Sequence, residues 1–265
     1  MQANWRLLAL VFAAVVVLAI LGIVVYLETP YTADRDRLAD VEDREDVTLE
    51  RVDGTVILSG GEVTEETVGV VLYPGARVHP ESYAPTMAPI VAERDVVVVI
   101  PEMPLNLAVL DSNAADDVMD ASPEVDRWVV GGHSLGGAMA CRYTAENPAK
   151  VDGLLLFAAY CDGADDLGGT DVPVLSVQGT ADGVIDAETE RANRELLGTS
   201  ARVVEIEGMN HAQFGAYGDQ RGDRAATIGD DEATERLTGV VLEWLEELDE
   251  RERGATTTID AATAA

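Results

Sequence analysis

The sequence predicts an α/β fold, with a mostly parallel sheet flanked by helices on both faces and one transmembrane helix ahead of it. Three observations carry that expectation. Strand-like and helix-like segments alternate after an opening hairpin, which is the pattern of a three-layer α/β domain. Two strand segments, VGVVLY at 68–73 and VVVVI at 96–100, are unbroken and rich in β-branched residues, as parallel strands buried on both faces must be. Finally, GGHSLGG at 131–137 joins a short apolar strand to a helix opened by small residues.

Taken in order, the run from Leu7 to Tyr26 carries no charge. At about 1.5 Å rise per residue its length matches a bilayer core of about 30 Å. Trp5 at one end and Tyr26 and Tyr31 at the other suit the two interfaces. A cleavable signal peptide has a shorter apolar region and a small-x-small exit. Here the exit is VYLETP, so residues 1–27 are expected as an uncleaved anchor. Arg6 on one side and Arg35 and Arg37 on the other balance, so the side on which the rest of the chain lies is left open.

Residues 28–46 are polar without periodicity and are expected as a tether of coil or short polar helix. A domain over 47–250 follows. Residues 47–52 alternate, Asp53-Gly54 is a hairpin turn signal, and residues 55–58 return, giving an antiparallel pair at a sheet edge. Strands are then expected at 68–73, 96–100, 128–130, 154–158, 172–177 and 202–206, and helices within 80–93, 111–121, 135–143, 188–197 and 233–248. The last helix aligns Leu237, Val240, Val241, Trp244, Leu245 and Leu248 on one stripe. Residues 251–265 are low-complexity and expected as a disordered tail.

Composition narrows the function. The chain has 265 residues, 49 acidic against 18 basic, for a net charge of −31. Lys150 is its one lysine. No nucleic-acid partner is expected, because such a surface needs a basic footprint. An acidic excess spread over the whole folded region suggests adaptation to high salt, where self-repulsion is screened. No cofactor or metal is expected: there is no phosphate loop, dinucleotide fingerprint or histidine–carboxylate cluster. Cys141 and Cys161 make no disulfide framework, and two buried thiols are expected rather than one bridge.

Gly132-x-Ser134-x-Gly136 is the strand–turn–helix pattern that exposes a serine hydroxyl on a sharp turn, with glycines removing the Cβ atoms that would clash. Such a serine needs a base and the base an orienting acid, in the chain order Ser, Asp or Glu, then His. Asp182 follows the 172–177 strand, with Asp186 as runner-up. His211 follows the 202–206 strand; of the other two histidines, His79 comes too early and His133 is part of the turn itself. An oxyanion would be met by the N–H of Leu135 and by one from residues 74–77, Ala76 first and Gly75 second.

Together LYPGARV, MPLNLA, GGHSLGG, GTADGV and EGMNHAQFGAYG resemble the α/β-hydrolase superfamily, most of all its compact family 5 group related to dienelactone-hydrolase-like enzymes. The resemblance covers about residues 68–248 and implies Ser134, Asp182 and His211 as a triad acting on a small-molecule ester or related acyl substrate. Acyl transfer or peptide cleavage on the same residues is one alternative, and a non-catalytic, membrane-anchored binding module is another. Residues 160–170 leave no room for a large lid, which favours small or protruding acyl substrates in an open cleft. Oligomeric state leaves no signature.

Overall fold

The computed structural model describes residues 2–263; side chains are described for residue 5 and for residues 7–254. Helix α1 (Gln2–Leu27) leads, and its stretch Leu7–Leu27 has a mean hydropathy of 3.3 with no part of it buried. It is long and apolar enough to cross a membrane. Helix α2 (Arg35–Glu42) follows, capped by Asp34 Oδ1, which accepts the N–H groups of Asp36 and Arg37 at 3.0 and 3.1 Å.

The expected polar tether thus includes a short polar helix, and it is docked on the domain. Tyr31 forms a parallel bridge with Val78, and Asp34 N–H donates to the Ala216 carbonyl at 2.6 Å. Val41 is buried, and Arg37 reaches Thr234 Oγ1 at 2.9 Å. Four residues explain the docking. Tyr31, Leu38 and Val41 are few among charged neighbours, yet each finds the core, while Asp34 fixes the helix start.

Eight strands form one sheet: β1 (Thr48–Val52), β2 (Thr55–Ser59), β3 (Val68–Tyr73), β4 (Val96–Ile100), β5 (Arg127–His133), β6 (Gly153–Phe157), β7 (Val174–Gly179) and β8 (Ala201–Ile206). Their spatial order is β1-β2-β4-β3-β5-β6-β7-β8, with the first three antiparallel and the rest parallel. Alternation splits the core in two. Val68, Val70 and Leu72 of β3 face one layer, with α3 (Ala84–Glu93) and α7 (Asp230–Thr263). Val71 and Tyr73 face the other, with α4 (Ala114–Ala121) and α5 (Leu135–Glu146). A shorter helix, α6 (Ala187–Asn193), lies between β7 and β8.

Because β3 to β8 are parallel, the loops after their carboxyl ends gather along one edge of the domain. The β1–β2 turn joins that edge. Val56 pairs with Ile100 at the end of β4, and the Glu102 N–H reaches Thr55 Oγ1.

Two further expectations change. Cys141 of α5 and Cys161, just past β6, form a disulfide with a Cα separation of 5.5 Å, so they are not two thiols. The chain after β6 folds back over α5, a proximity that sequence spacing does not encode. Helix α7 also continues beyond the apolar stripe to Thr263, where residues 251–263 were expected as disordered tail; residues 264–265 lie outside the described residues. Past Leu248 it is held from the sheet side: Arg127 pairs with Asp249 at 2.8 Å and with Glu252, and Arg94 also pairs with Asp249.

Candidate active site

Strand β5 ends at His133 and α5 starts at Leu135, so Ser134 makes the whole turn, at φ 55° and ψ −122°. A non-glycine residue held there costs about 1–3 kcal/mol and needs support from its surroundings. Ser134 N–H donates to the Phe157 carbonyl at 3.0 Å, and the Ser134 carbonyl accepts Ala138 N–H at 3.1 Å. A Cβ on Gly136 would run into the carbonyl oxygens of Tyr73 and Pro74, and one on Gly132 into the backbone of Gly136. The glycines therefore permit the approach and the strand and helix enforce the strain. Ser134 is half-buried.

Asp182 lies on the loop after β7. Its Oδ1 accepts the N–H groups of Val184 and Ile185 at 2.7 and 2.9 Å, which leaves Oδ2 for His211 Nδ1 at 2.8 Å. Burial pushes the carboxyl pKa up, but the His211 bond and charge and the two N–H donors outweigh it and hold it below the usual carboxylate range. An ionised carboxylate only accepts, so Nδ1 carries a proton toward Asp182. His211 Nε2 is buried and has no hydrogen-bond partner among the described residues. Asp182 and His211 are thus brought together, while no hydrogen bond among the described residues joins His211 to Ser134. Asp186, the runner-up acid, is elsewhere engaged: its Oδ1 caps α6 by accepting Thr189 N–H at 2.7 Å.

The His211 ring centre lies 4.4 Å from that of His133, the residue before Ser134. His133 is fully buried, and burial first, then the neighbouring His211, push its pKa well below the ordinary histidine value, so it is neutral. Its Nδ1 lies 3.0 Å from Tyr83 Oη, which itself accepts Gly75 N–H at 2.8 Å. Tyr83 Oη and His133 Nδ1 thus share a second buried hydrogen bond. The first removes Gly75 from the candidate oxyanion donors, because its N–H is already engaged. Leu135 and Ala76 keep N–H groups that no hydrogen bond among the described residues engages. Leu135 opens α5, where the helix dipole favours negative charge.

Two residues that sequence reasoning missed join the loops. Tyr83 links residues 74–77 to the turn. Asp223 accepts Gly183 N–H at 2.8 Å through Oδ1 and Ala212 N–H at 3.0 Å through Oδ2, bracing the Asp182 loop against the His211 loop. Neither leaves a sequence signal, since both act by side-chain bonds to distant backbone. Among the described residues, no three His, Cys, Asp or Glu side chains converge as metal ligands would.

Comparison with known proteins bears on the family and the fold. The sequence matches the alpha/beta hydrolase family over residues 69–235. No match is found among curated proteins. Among solved structures, a predicted CIB-like hydrolase from Thermoplasma acidophilum is 16% identical, with a TM-score of 0.58 over 76% of this chain and 99% of the other. A dienelactone hydrolase-like promiscuous phosphotriesterase from metagenomic libraries is 17% identical, with a TM-score of 0.55 over 77% and 98%. A membrane phospholipase A, described as a bacterial virulence factor, is 17% identical, with a TM-score of 0.54 over 91% and 98%. At such identities the likeness is one of fold.

Proposed function

The chain belongs to the alpha/beta hydrolase family, and from that premise we propose that it is a membrane-anchored serine hydrolase that cleaves carboxylic esters or related acyl compounds. The observation that carries this reading is the 2.8 Å Asp182–His211 bond, with Nε2 left unpartnered against the residue that precedes the strained serine. His211 takes the Ser134 proton as Oγ attacks the acyl carbon, and Asp182 holds the imidazole and stabilises its charged form. The N–H groups of Leu135 and Ala76 meet the oxyanion. His211 returns the proton to the leaving alcohol, and water then clears the acyl-enzyme by the same steps. The apolar, exposed Leu7–Leu27 helix supports anchoring.

A fluorophosphonate probe tests the reading on the full chain in multimolar salt. Wild type should be labelled, Ser134→Ala should not, and hydrolysis of a short aryl ester should fall by about 10⁴-fold or more in Ser134→Ala. Folded wild type that takes no label and cleaves no ester would leave a binding module instead.

A further inference from the structure

We infer that the carboxyl-end face of the sheet, around the mouth of the Ser134 site, rests on the bilayer that holds α1, and that the substrate is an acyl ester presented at that lipid surface. This rests on the anchored-hydrolase reading above. It starts from how the helix end is held. Asn106 Nδ2 donates to the Leu27 carbonyl at 2.9 Å, and Arg77 donates to the carbonyls of Tyr26, at 2.8 Å, and Thr29. The Arg77 guanidinium also lies 3.7 Å from the centre of the Tyr26 ring. Arg77 directly follows Ala76, the proposed oxyanion donor, so the last turn of the membrane helix is tied to the loop that would bind the reacting carbonyl.

The chain after α1 has no slack. Tyr31 N–H donates to the Arg77 carbonyl at 2.6 Å, and the Tyr31 carbonyl accepts His79 N–H at 2.9 Å. Its ring packs 5.6 Å from Tyr217, whose own ring packs against His133. The link from the membrane therefore passes between the loop after β3 and the loop that carries His211. The domain cannot swing its mouth away from the surface without breaking these bonds.

Exposed apolar side chains point the same way. Outside α1, the large hydrophobic residues left exposed among the described residues are Val52, Val109, Leu110 and Val184, at 51%, 48%, 53% and 39%. Single exposed apolar residues are ordinary on any surface. These four all lie at one end of the molecule. Val52 flanks the β1–β2 turn beside the end of β4, Val109 and Leu110 follow β4, and Val184 follows β7. The segment Pro104–Asn106, just before Val109, touches α1. A lipid surface is the occupant that accounts for both the anchor and the apolar rim. Electrostatic attraction is not the cause: Asp53, Glu102 and Asp111 share this end, so contact is strongest where salt screens them.

The test uses the full chain in zwitterionic phosphatidylcholine vesicles in multimolar salt, with two substrates. One is a soluble p-nitrophenyl butyrate, the other a fluorogenic long-chain diacylglycerol ester incorporated in the vesicles. Val109→Asp/Leu110→Asp should cut hydrolysis of the embedded ester by at least tenfold and change that of the soluble ester less than twofold. An environment-sensitive dye on Leu110→Cys should be quenched by spin-labelled lipid, while the same dye on Glu66→Cys, at the opposite end of β3, should not. Equal rates for the double variant on the embedded ester, no cleavage of that ester by wild type, or an unquenched dye at position 110 would each overturn the inference. Loss of soluble-ester cleavage and of fluorophosphonate labelling in wild type would instead remove the hydrolase reading beneath it.

Discussion

Tyr83 is fully buried and its hydroxyl is held between two groups that cannot reach water, Gly75 N–H and His133 Nδ1. Tyr83→Phe keeps the ring and strands both partners, at a cost of about 1–3 kcal/mol. Thermal melting should register that loss. Because Gly75 carries Ala76, kcat on a soluble ester should also fall about tenfold with KM little changed, as for an interaction made in the transition state. His133 gives the residue scale a pH signature. Its folded pKa is depressed, first by burial and then by His211. The unfolded chain therefore takes up a proton below the ordinary histidine pKa of about 6.5 while the folded chain does not. Stability from this residue is complete above that pH and declines as pH falls beneath it. Asp182, depressed from the ordinary carboxylate value, loses its contribution only at still lower pH. Between about pH 4 and 6.5 the wild-type melting temperature should therefore lose more, or gain less, on acidification than that of His133→Gln. Parallel profiles for the two would contradict the assignment.

Among the elements, β3 and β4 occupy the limits read from the sequence, 68–73 and 96–100, because a strand buried on both faces writes its whole length in apolar residues. Strand β5 was legible only at 128–130. Gly131, Gly132 and His133 carry no strand signal, yet they continue the ladder opposite Leu155, Leu156 and Phe157. Chain order alone named Asp182 and His211, the pair found hydrogen-bonded, whereas Tyr83 and Asp223 answer to no motif. The bond between Cys141 and Cys161 was equally silent. It closes a loop with a sequence separation of 20 between α5 and the chain after β6. On the chain-entropy account a loop of that size contributes about 3 kcal/mol. Reduction, or Cys141→Ala/Cys161→Ala, should lower the unfolding free energy by that amount, with a lower denaturation midpoint and a somewhat steeper denaturant slope as the unfolded chain expands. Such bonds persist where oxidants reach them, so a chain anchored as proposed should carry the domain on the oxidising side of its membrane. Protease added outside right-side-out vesicles should digest it; full protection would put it on the reducing side.

At the scale of the whole molecule, charge decides. With 49 acidic and 18 basic residues, 31 negative charges remain uncompensated. The pairs that form are mostly at the surface, such as Arg44–Asp46 at 2.7 Å and Arg202 with Glu243 and Glu247 at 2.6 and 2.7 Å. Each exposed pair contributes about 0–1 kcal/mol. Salt weakens these pairs and the repulsion together, but repulsion has the larger sum, so the net effect of salt is to stabilise. Screening sets the shape of the response. The Debye length shrinks from about 10 Å at 0.1 M to about 3 Å at 1 M, shorter than most gaps between surface carboxylates. The melting temperature should climb steeply over that interval and then level off under chloride. Sulfate, which is also excluded from protein surface, should keep raising it. Sucrose at matched osmolality strengthens burial without screening, and should leave most of the low-salt deficit in place. A melting temperature equal in low and multimolar chloride would show that the acidic coat is not a salt adaptation.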